Sequence, residues 1–339
     1  MNKTINFALI GSGAIAAVHA KALAKTRGGK LVGAYSDNET QLNEFCLSFG
    51  ITPYRSIEQL YSDSNVDVIN ICTPSGLHAK YAVAALDSGK NVVVEKPIAL
   101  TVEDCQKVLD AESRSGKICA AISQLRYDDT TRAVRQAIDS GKLGNMLSGS
   151  VYMKYFRSAE YYSSSTWRGT FEMDGGGALM NQGIHGIDLL LGYMGRAKSV
   201  SGIVKTLRHN IEVEDTAAAI VEFESGAIGT IEGTTSVTPG YPIRFELCGI
   251  NGTVFLEGSK ISRWDIPCER PENSAEQKSA HSDPANLEIV GHMRQFEEVV
   301  ESITTGKPLQ YTAQDAADTV RLICAIYTSS KTGARIELI

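Results

Sequence analysis

Cysteine pairs, long apolar runs and blocks of a single charge sign are all missing from this chain, and each absence removes a class of function. The seven cysteines (Cys46, Cys72, Cys105, Cys119, Cys248, Cys268 and Cys324) lie far apart with no CxxC spacing. They offer neither a zinc-finger set nor a dithiol redox pair and read as reduced packing residues. No stretch approaches the roughly 20 apolar residues of a membrane span. The start, MNKTINFALIGSG, passes directly into strand-like sequence without the apolar core of a signal peptide. A soluble, cytoplasmic protein is the expectation. Against 33 Lys and Arg stand 39 Asp and Glu, a formal net charge of −6 with no dense basic block, so neither nucleic acid nor an anionic membrane surface is an expected partner. Internal repeats and low-complexity tracts are absent as well. His19, His209, His281 and His292 have no matching neighbours in sequence, and no three-ligand set signals a metal.

What is present is a length of 339 residues with 43% hydrophobic content, enough for two cores. The first third alternates strand-like runs (5–10, 30–35, 66–72, 91–94 and 117–122) with helical stretches (15–25, 40–49, 78–88 and 102–115). This βαβ rhythm predicts a doubly wound, parallel Rossmann sheet over 1–123. After a helix at 129–140 the rhythm changes. Strand-like runs near 145–156, 198–207, 215–223, 226–235, 242–249 and 252–257 have short, Gly-containing connections. They predict an α+β domain over 124–339 with a large open, mainly antiparallel sheet. Residues 266–285 read as a polar loop, with helices expected at 286–305 and 312–330. A sheet with one bare face implies burial against another subunit, hence a homodimer or homotetramer formed through this domain.

The first strand, FALI, runs straight into Gly11-Ser12-Gly13-Ala14-Ile15-Ala16 and then a helix. In a GxGxxA turn so placed, the first Gly permits the tight bend, the second lets a pyrophosphate approach the backbone, and a small sixth residue lets helix and strand pack closely. The helix N-terminus, with Ala14 and Ile15, then faces the anion. A ribose-reading acid is expected at the end of the second strand, where the chain reads Tyr35-Ser36-Asp37-Asn38. Asp37 either accepts from the ribose hydroxyls or is a turn residue beside Asn38. With no Lys or Arg nearby in sequence to meet a 2′-phosphate, NAD is favoured, with NADP possible.

A second feature is NVVVEKPIAL, where an apolar run ends in Glu95-Lys96-Pro97. Glu95 and Lys96 either meet solvent at a strand end or belong to a site. Together, GSGAIAAVHA, ICTPSGLHAKYAVAAL, VVVEKPIAL and GGGALMNQGIHGIDLL make the chain resemble the glucose-fructose oxidoreductase, inositol dehydrogenase and MocA family of NAD(P)-dependent sugar oxidoreductases. The resemblance covers nearly the whole length. It implies that Lys96 is the catalytic lysine at the junction of carbohydrate and nicotinamide. It also implies that Thr73, Pro74 and His78 of the CTPxxLH turn, with Glu95, border the cofactor, and that Ser36 stands where many members carry the ribose acid. Independently, ligands of an open parallel sheet bind beyond the carboxyl ends of its strands, which is where Thr73-Pro74 and Glu95-Lys96-Pro97 fall.

Asn181 and His185 are four apart and share a face if helical, with Asp188 following. Inositol-dehydrogenase-like members carry an aspartate in place of Asn181, paired with the histidine as a proton relay; an amide cannot titrate, so here the relay rests on His185 and Lys96. Arg126 and Arg157, Tyr161, Tyr162, Trp167 and Arg168 either contact the carbohydrate, since aromatic faces stack on sugars and arginines grip carboxylates or phosphates, or form an ordered loop with packed aromatics. The leading expectation is an NAD(P)-dependent dehydrogenase acting on a sugar, polyol, sugar acid or nucleotide sugar. The alternatives are a glycoside-cleaving member that retains its NAD and a non-catalytic dinucleotide sensor.

Overall fold

The register of the first sheet brings the sequence motifs together. In the computed structural model, which describes residues 4–271 and 289–338, strands β1 (Ile5–Ile10), β2 (Gly29–Tyr35), β3 (Thr52–Pro53), β4 (Val68–Ile71), β5 (Asn91–Val94) and β6 (Cys119–Ala121) form one parallel sheet in the order β3-β2-β1-β4-β5-β6. Ile10 is paired with Ile71, and Ile71 with Val94, so the turns beginning at Gly11, Cys72 and Glu95 leave the sheet side by side. The order reverses beside β1, the switch point at which such sheets bind ligands.

Polar caps set the intervening helices. Asn38, Ser56 and Thr101 accept the first free N–H groups of helices Glu39–Phe49, Ile57–Ser62 and Val102–Ser115. Strand β3 and the short helix Ile57–Ser62 were not legible in the periodicity. One face of the sheet packs Leu9, Ala16, Ala20, Leu42 and Phe45. The other packs Ile5, Phe7, Val68 and Val93 against Phe296, Val299 and Val300 of the helix Val290–Thr305.

That last contact corrects the expected domain boundary. The described residues fall into two compact units, one running to Gln124 and taking in the later stretch that ends at Ala317, the other starting at Leu125 and resuming at Asp318. The expected domain 124–339 therefore yields its 290–305 helix to the first unit, because that helix buries its apolar face on β1 and β4. Most of the expected polar loop, 272–285, and His281 within it, lie outside the described residues.

The second unit holds β7 (Met146–Lys154), β8 (Ala197–Lys205), β9 (Thr216–Phe223), β10 (Ile228–Thr234), β11 (Arg244–Gly249), β12 (Gly252–Glu257), β13 (Lys260–Asp265) and β14 (Ile336–Glu337) in the order β13-β12-β11-β7-β10-β9-β8-β14. All neighbouring strands are antiparallel except β7 and β10. Strands β13 and β14 extend the sheet beyond the expected set. Alternation is clean on β9, where Ala217, Ala219, Val221 and Phe223 are buried while Ala218 and Ile220 face outward. The inner face meets the helix Ile184–Met194, close enough that a Cβ on Gly149 would lie 2.5 Å from Met194 Sδ. Among the described residues no helix is long and apolar enough to cross a membrane.

Candidate active site

In the first unit the Gly-rich turn has the shape its sequence implies. Gly11 has φ +108°, and a Cβ there would lie 2.5 Å from the Cys72 carbonyl oxygen, so only glycine fits. At Gly13 a Cβ would meet nothing within 4 Å. The protein itself does not need glycine there, and the open space suits an approaching diphosphate. The helix Ala14–Leu23 starts without a side-chain cap. The buried hydroxyls of Ser12 and Thr73 have no hydrogen-bond partner. Unfilled N–H groups and two orphan hydroxyls at the carboxyl ends of β1 and β4 are the complement of a phosphate-bearing cofactor.

At the end of β2, Tyr35 donates its hydroxyl to Asp37 Oδ1 at 2.7 Å, which with partial burial pushes the phenol up to about 12. Ser36 Oγ receives the Asn38 N–H at 3.4 Å, and Asn38 caps the next helix. Asp37 itself is exposed. The structure adds a cation that sequence spacing hid: Arg55 lies 2.6 Å from Glu39, two residues beyond Asp37.

Lys96 is half-buried, and its peptide bond to Pro97 is cis. Its flanking residues have structural duties. His78 is 1% exposed, with Nδ1 2.7 Å from the Pro97 carbonyl and Nε2 2.9 Å from the Thr73 carbonyl. Burial pushes its pKa down, and it ties the two turns together. Glu95, 6% exposed, directs Oε1 at His19 Nε2 (2.8 Å), while Oε2 accepts the Lys96 N–H (3.0 Å). His78 and Glu95 are the residues expected to border the cofactor. Both are buried, with their polar atoms committed to the protein.

The expectation that His19 and His292 stand alone is also corrected. The ligand-type atoms of His19, Glu95 and His292 lie within 4.8 Å of one another, all buried. The two histidine rings sit 5.1 Å apart. Burial alone would lower the pKa of His19, but Cys72 and Glu95 together hold it up at about 10. Burial would raise the Glu95 carboxyl, and His19, His292 and Lys96 hold it well below the carboxylate range. The 2.8 Å contact is a direct charge-assisted hydrogen bond, which is the use these atoms have here.

In the second unit, the segment of Asn181 and His185 begins as a π-helical turn, Ala178–Gly183, and continues as the α-helix Ile184–Met194 carrying His185. The turn is anchored by Glu214, which accepts the N–H groups of Gly177 (3.0 Å) and Leu179 (2.8 Å) and the Tyr327 hydroxyl (3.0 Å). A Cβ on Gly177 would meet the Glu214 carbonyl oxygen at 2.0 Å, so the glycine run permits this contact.

Asn181 donates its amide to Asp174 and accepts from Gln182 Nε2 at 2.9 Å. Gln182 also reaches Tyr161 Oη (2.8 Å) and accepts from Arg157 Nε (3.0 Å). The guanidinium carbons of Arg157 and Arg168 stand 5.4 and 4.5 Å from the Tyr161 ring centre, and Arg168 is 5.6 Å from Trp167. Arg168 Nη1 donates to Ser164 Oγ at 2.8 Å, while its Nε is buried without a partner. Tyr162 instead turns inward to Thr235 at 2.9 Å. Arg126 is expected to contact substrate, and the structure places it against Asp188. It grips Asp188 through Nε (2.8 Å) and Nη2 (2.7 Å), a bidentate pair that consumes its fork.

Sequence reasoning missed His19, Asn70, His292, Asp174, Gln182, Glu214 and Tyr327. Only the adjacency of Gln182 to Asn181 carried any signal.

The model of the oxidoreductase family's NAD-binding Rossmann fold (GFO/IDH/MocA) matches residues 5–123, and that of the GFO/IDH/MocA C-terminal domain matches 131–255. Scyllo-inositol 2-dehydrogenase (NAD(+)) of Bacillus subtilis is 27% identical over 267 residues, 76% of this chain and 75% of the relative. The 1,5-anhydro-D-fructose reductase of Ensifer adhaerens is 26% identical over 97% of each chain. The WlbA dehydrogenase from Bordetella pertussis, solved in complex with NADH and UDP-GlcNAcA, has a TM-score of 0.90 and 30% identity over 99% of this chain and 98% of that one. With both halves matched, the chain belongs to the GFO/IDH/MocA family of NAD(P)-dependent oxidoreductases.

Proposed function

We propose that this protein is an NAD-dependent dehydrogenase of an anionic sugar, a nucleotide-linked uronic acid of the UDP-GlcNAcA type. The observation that carries the substrate class is the cluster of Arg157 and Arg168 around Tyr161, hydrogen-bonded through Gln182 to Asn181. Guanidiniums beside an aromatic face match a ring bearing carboxylate or phosphate, and the buried, unpartnered Nε of Arg168 leaves a donor for it. The WlbA structure, with its UDP-GlcNAcA, supports the same class.

The residues that would hold the dinucleotide are Gly11, Gly13, Ala14 and Ile15 for the diphosphate, with Ser12 and Thr73 offering hydroxyls, and Ser36 and Asp37 for the ribose. The bound nicotinamide supplies a hydride acceptor. Lys96 carries the proton of the reacting hydroxyl, His185 assists it, and Asn181, Trp167 and Arg168 grip the sugar. Asp37 disfavours a 2′-phosphate, and Arg55 is engaged by Glu39, so NAD is preferred to NADP. The outward face of the second sheet, where Ile203, Ile220 and Ile228 are 63%, 63% and 59% exposed, forms the contact of a homodimer or homotetramer. Drawing on the NAD pool, the enzyme works in the cytoplasm.

The experiment is a panel of UDP-GlcNAcA, free glucuronate, scyllo-inositol and levoglucosan with NAD and with NADP, read as absorbance of reduced cofactor. Turnover of UDP-GlcNAcA with NAD is expected. Turnover of only the neutral polyols removes the anionic reading, and tighter NADPH than NADH binding removes the cofactor preference. Light scattering at micromolar concentration tests the assembly, which a single-chain mass refutes.

A further inference from the structure

His19 projects from the helix that begins at the Gly-rich turn, and both its ring nitrogens face acceptors. Nε2 lies 2.8 Å from Glu95 Oε1, while Nδ1 lies 3.1 Å from Asn70 Oδ1 and 3.3 Å from Cys72 Sγ. The doubly protonated ring donates to Glu95 Oε1 and Asn70 Oδ1 at once and so balances the buried carboxylate, which a neutral ring, donating at Nε2 and accepting at Nδ1 from the Cys72 thiol, does not. His19 is 0% exposed and Glu95 6%, so neither charge is hydrated and the two offset one another. The second Glu95 oxygen accepts the backbone N–H of Lys96 at 3.0 Å. The pair therefore ends on the residue assigned the proton.

We propose that His19 is a positioning residue for Lys96: its imidazolium offsets part of the charge of Glu95, and this buried pair sets both the orientation and the proton affinity of the lysine. The other titratable groups facing the pair are the Cys72 thiol, raised by burial, the His292 ring, and His78, which feels both Glu95 and Lys96. A bare Glu95 would hold the lysine protonated, and with no anion at position 95 the ammonium would lose the Glu95 charge that acts on it. The pair gives an intermediate field through contacts among residues 19, 70, 72 and 95, drawn from helix Ala14–Leu23, β4 and the ends of β4 and β5.

The inference rests on Lys96 being the proton carrier, but its test needs no turnover. Trace acetylation of the intact protein with acetic anhydride across pH, read by peptide mass spectrometry, gives the titration midpoint of Lys96. Glu95→Gln removes the anion, and the midpoint falls by about one unit or more; His19→Gln leaves the anion and removes the cation, and the midpoint rises by about as much. Opposite directions are the signature, because a strut of the fold moves both variants the same way or neither. Same-direction shifts, or no shift in either variant, overturn the proposal. For a variant that does not fold, NMR of the wild type labelled with 15N-histidine decides. A doubly protonated His19 at pH 8 is expected, and a neutral ring there refutes the idea. If the midpoints move as expected but Lys96→Met keeps its turnover, the catalytic reading fails while the coupling stands.

Discussion

The two units hold the side chains proposed for the site by opposite means. Around Lys96 the partners come from positions 19, 70, 72, 78 and 292, and the central contact is a buried ion pair. Around Asn181 the links run through Asp174, Gln182, Arg157, Tyr161 and Arg168, all within one stretch of chain, and most join an amide or hydroxyl to a neighbour. A buried charge pair has steep costs when either member is lost, whereas a string of part-buried amide and hydroxyl contacts changes by smaller steps. The first arrangement suits a group whose chemistry stays constant. The second suits one whose substrate varies among relatives.

The largest effect that can break this comparison is on Lys96. Lys96→Met should lower kcat by about 10² to 10⁴ with NADH binding intact by fluorescence, and His185→Ala should fall in the same range. Near wild-type hydride transfer in Lys96→Met would make the lysine a solvated strand end. Next comes Arg168→Ala, expected to raise KM for UDP-GlcNAcA by about 10- to 100-fold while kcat stays within a few-fold, since a charged hydrogen bond is worth roughly 1.5–3 kcal/mol. An equal loss on an uncharged sugar would show that the guanidinium only packs.

The pH dependence of stability sharpens the contrast further. The folded pKa of His19 is raised to about 10 from an ordinary value of 6.5. Its contribution is therefore complete below about 6.5 and is lost as pH rises toward 10, at up to about 1.4 kcal/mol per pH unit. Glu95 is shifted downward, so its contribution stands above the usual carboxylate range and is lost only in strong acid. Thermal melts between pH 6.5 and 10 should decline in wild type and flatten in His19→Gln. An unchanged slope in the variant would mean that His19 is neutral in the fold.

The smallest expected effect is that of Asn181→Ala. Losing its neutral hydrogen bonds should raise KM by roughly 2- to 10-fold, more than it lowers kcat, which steady-state kinetics can resolve. A collapse of kcat instead would place Asn181 and its Asp174 partner in proton transfer.

Much of the first unit was legible because its signals are periodic and local. Ile5–Ile10, Asn91–Val94 and Val102–Ser115 stand where the apolar runs and Thr101 cap put them. Gly11 was legible from its motif, for a reason the close Cys72 carbonyl makes explicit. The pairing of Arg126 with Asp188, 62 residues on, was not legible because a guanidinium at a junction looks the same in sequence whether it meets a ligand or a carboxylate. Glu95 stayed open between a solvent-facing charge and a site residue because nothing local announces that His19, 76 residues earlier, faces it.

By itself the sequence determined the family, the parallel sheet with its Gly-rich turn, and the lysine at the end of the fifth strand. Each is written in residues that act within a turn or two of themselves, through φ angles, caps and side-chain alternation. Only the tertiary structure decided that the helix Val290–Thr305 belongs with the first unit, that His78 and Glu95 face inward, and that Asp174 supplies a carboxylate beside an amide that cannot titrate. Those outcomes depend on which surfaces a strand register brings within about 3 Å. Hydrogen bonds at that range join positions whose spacing in the chain carries no period.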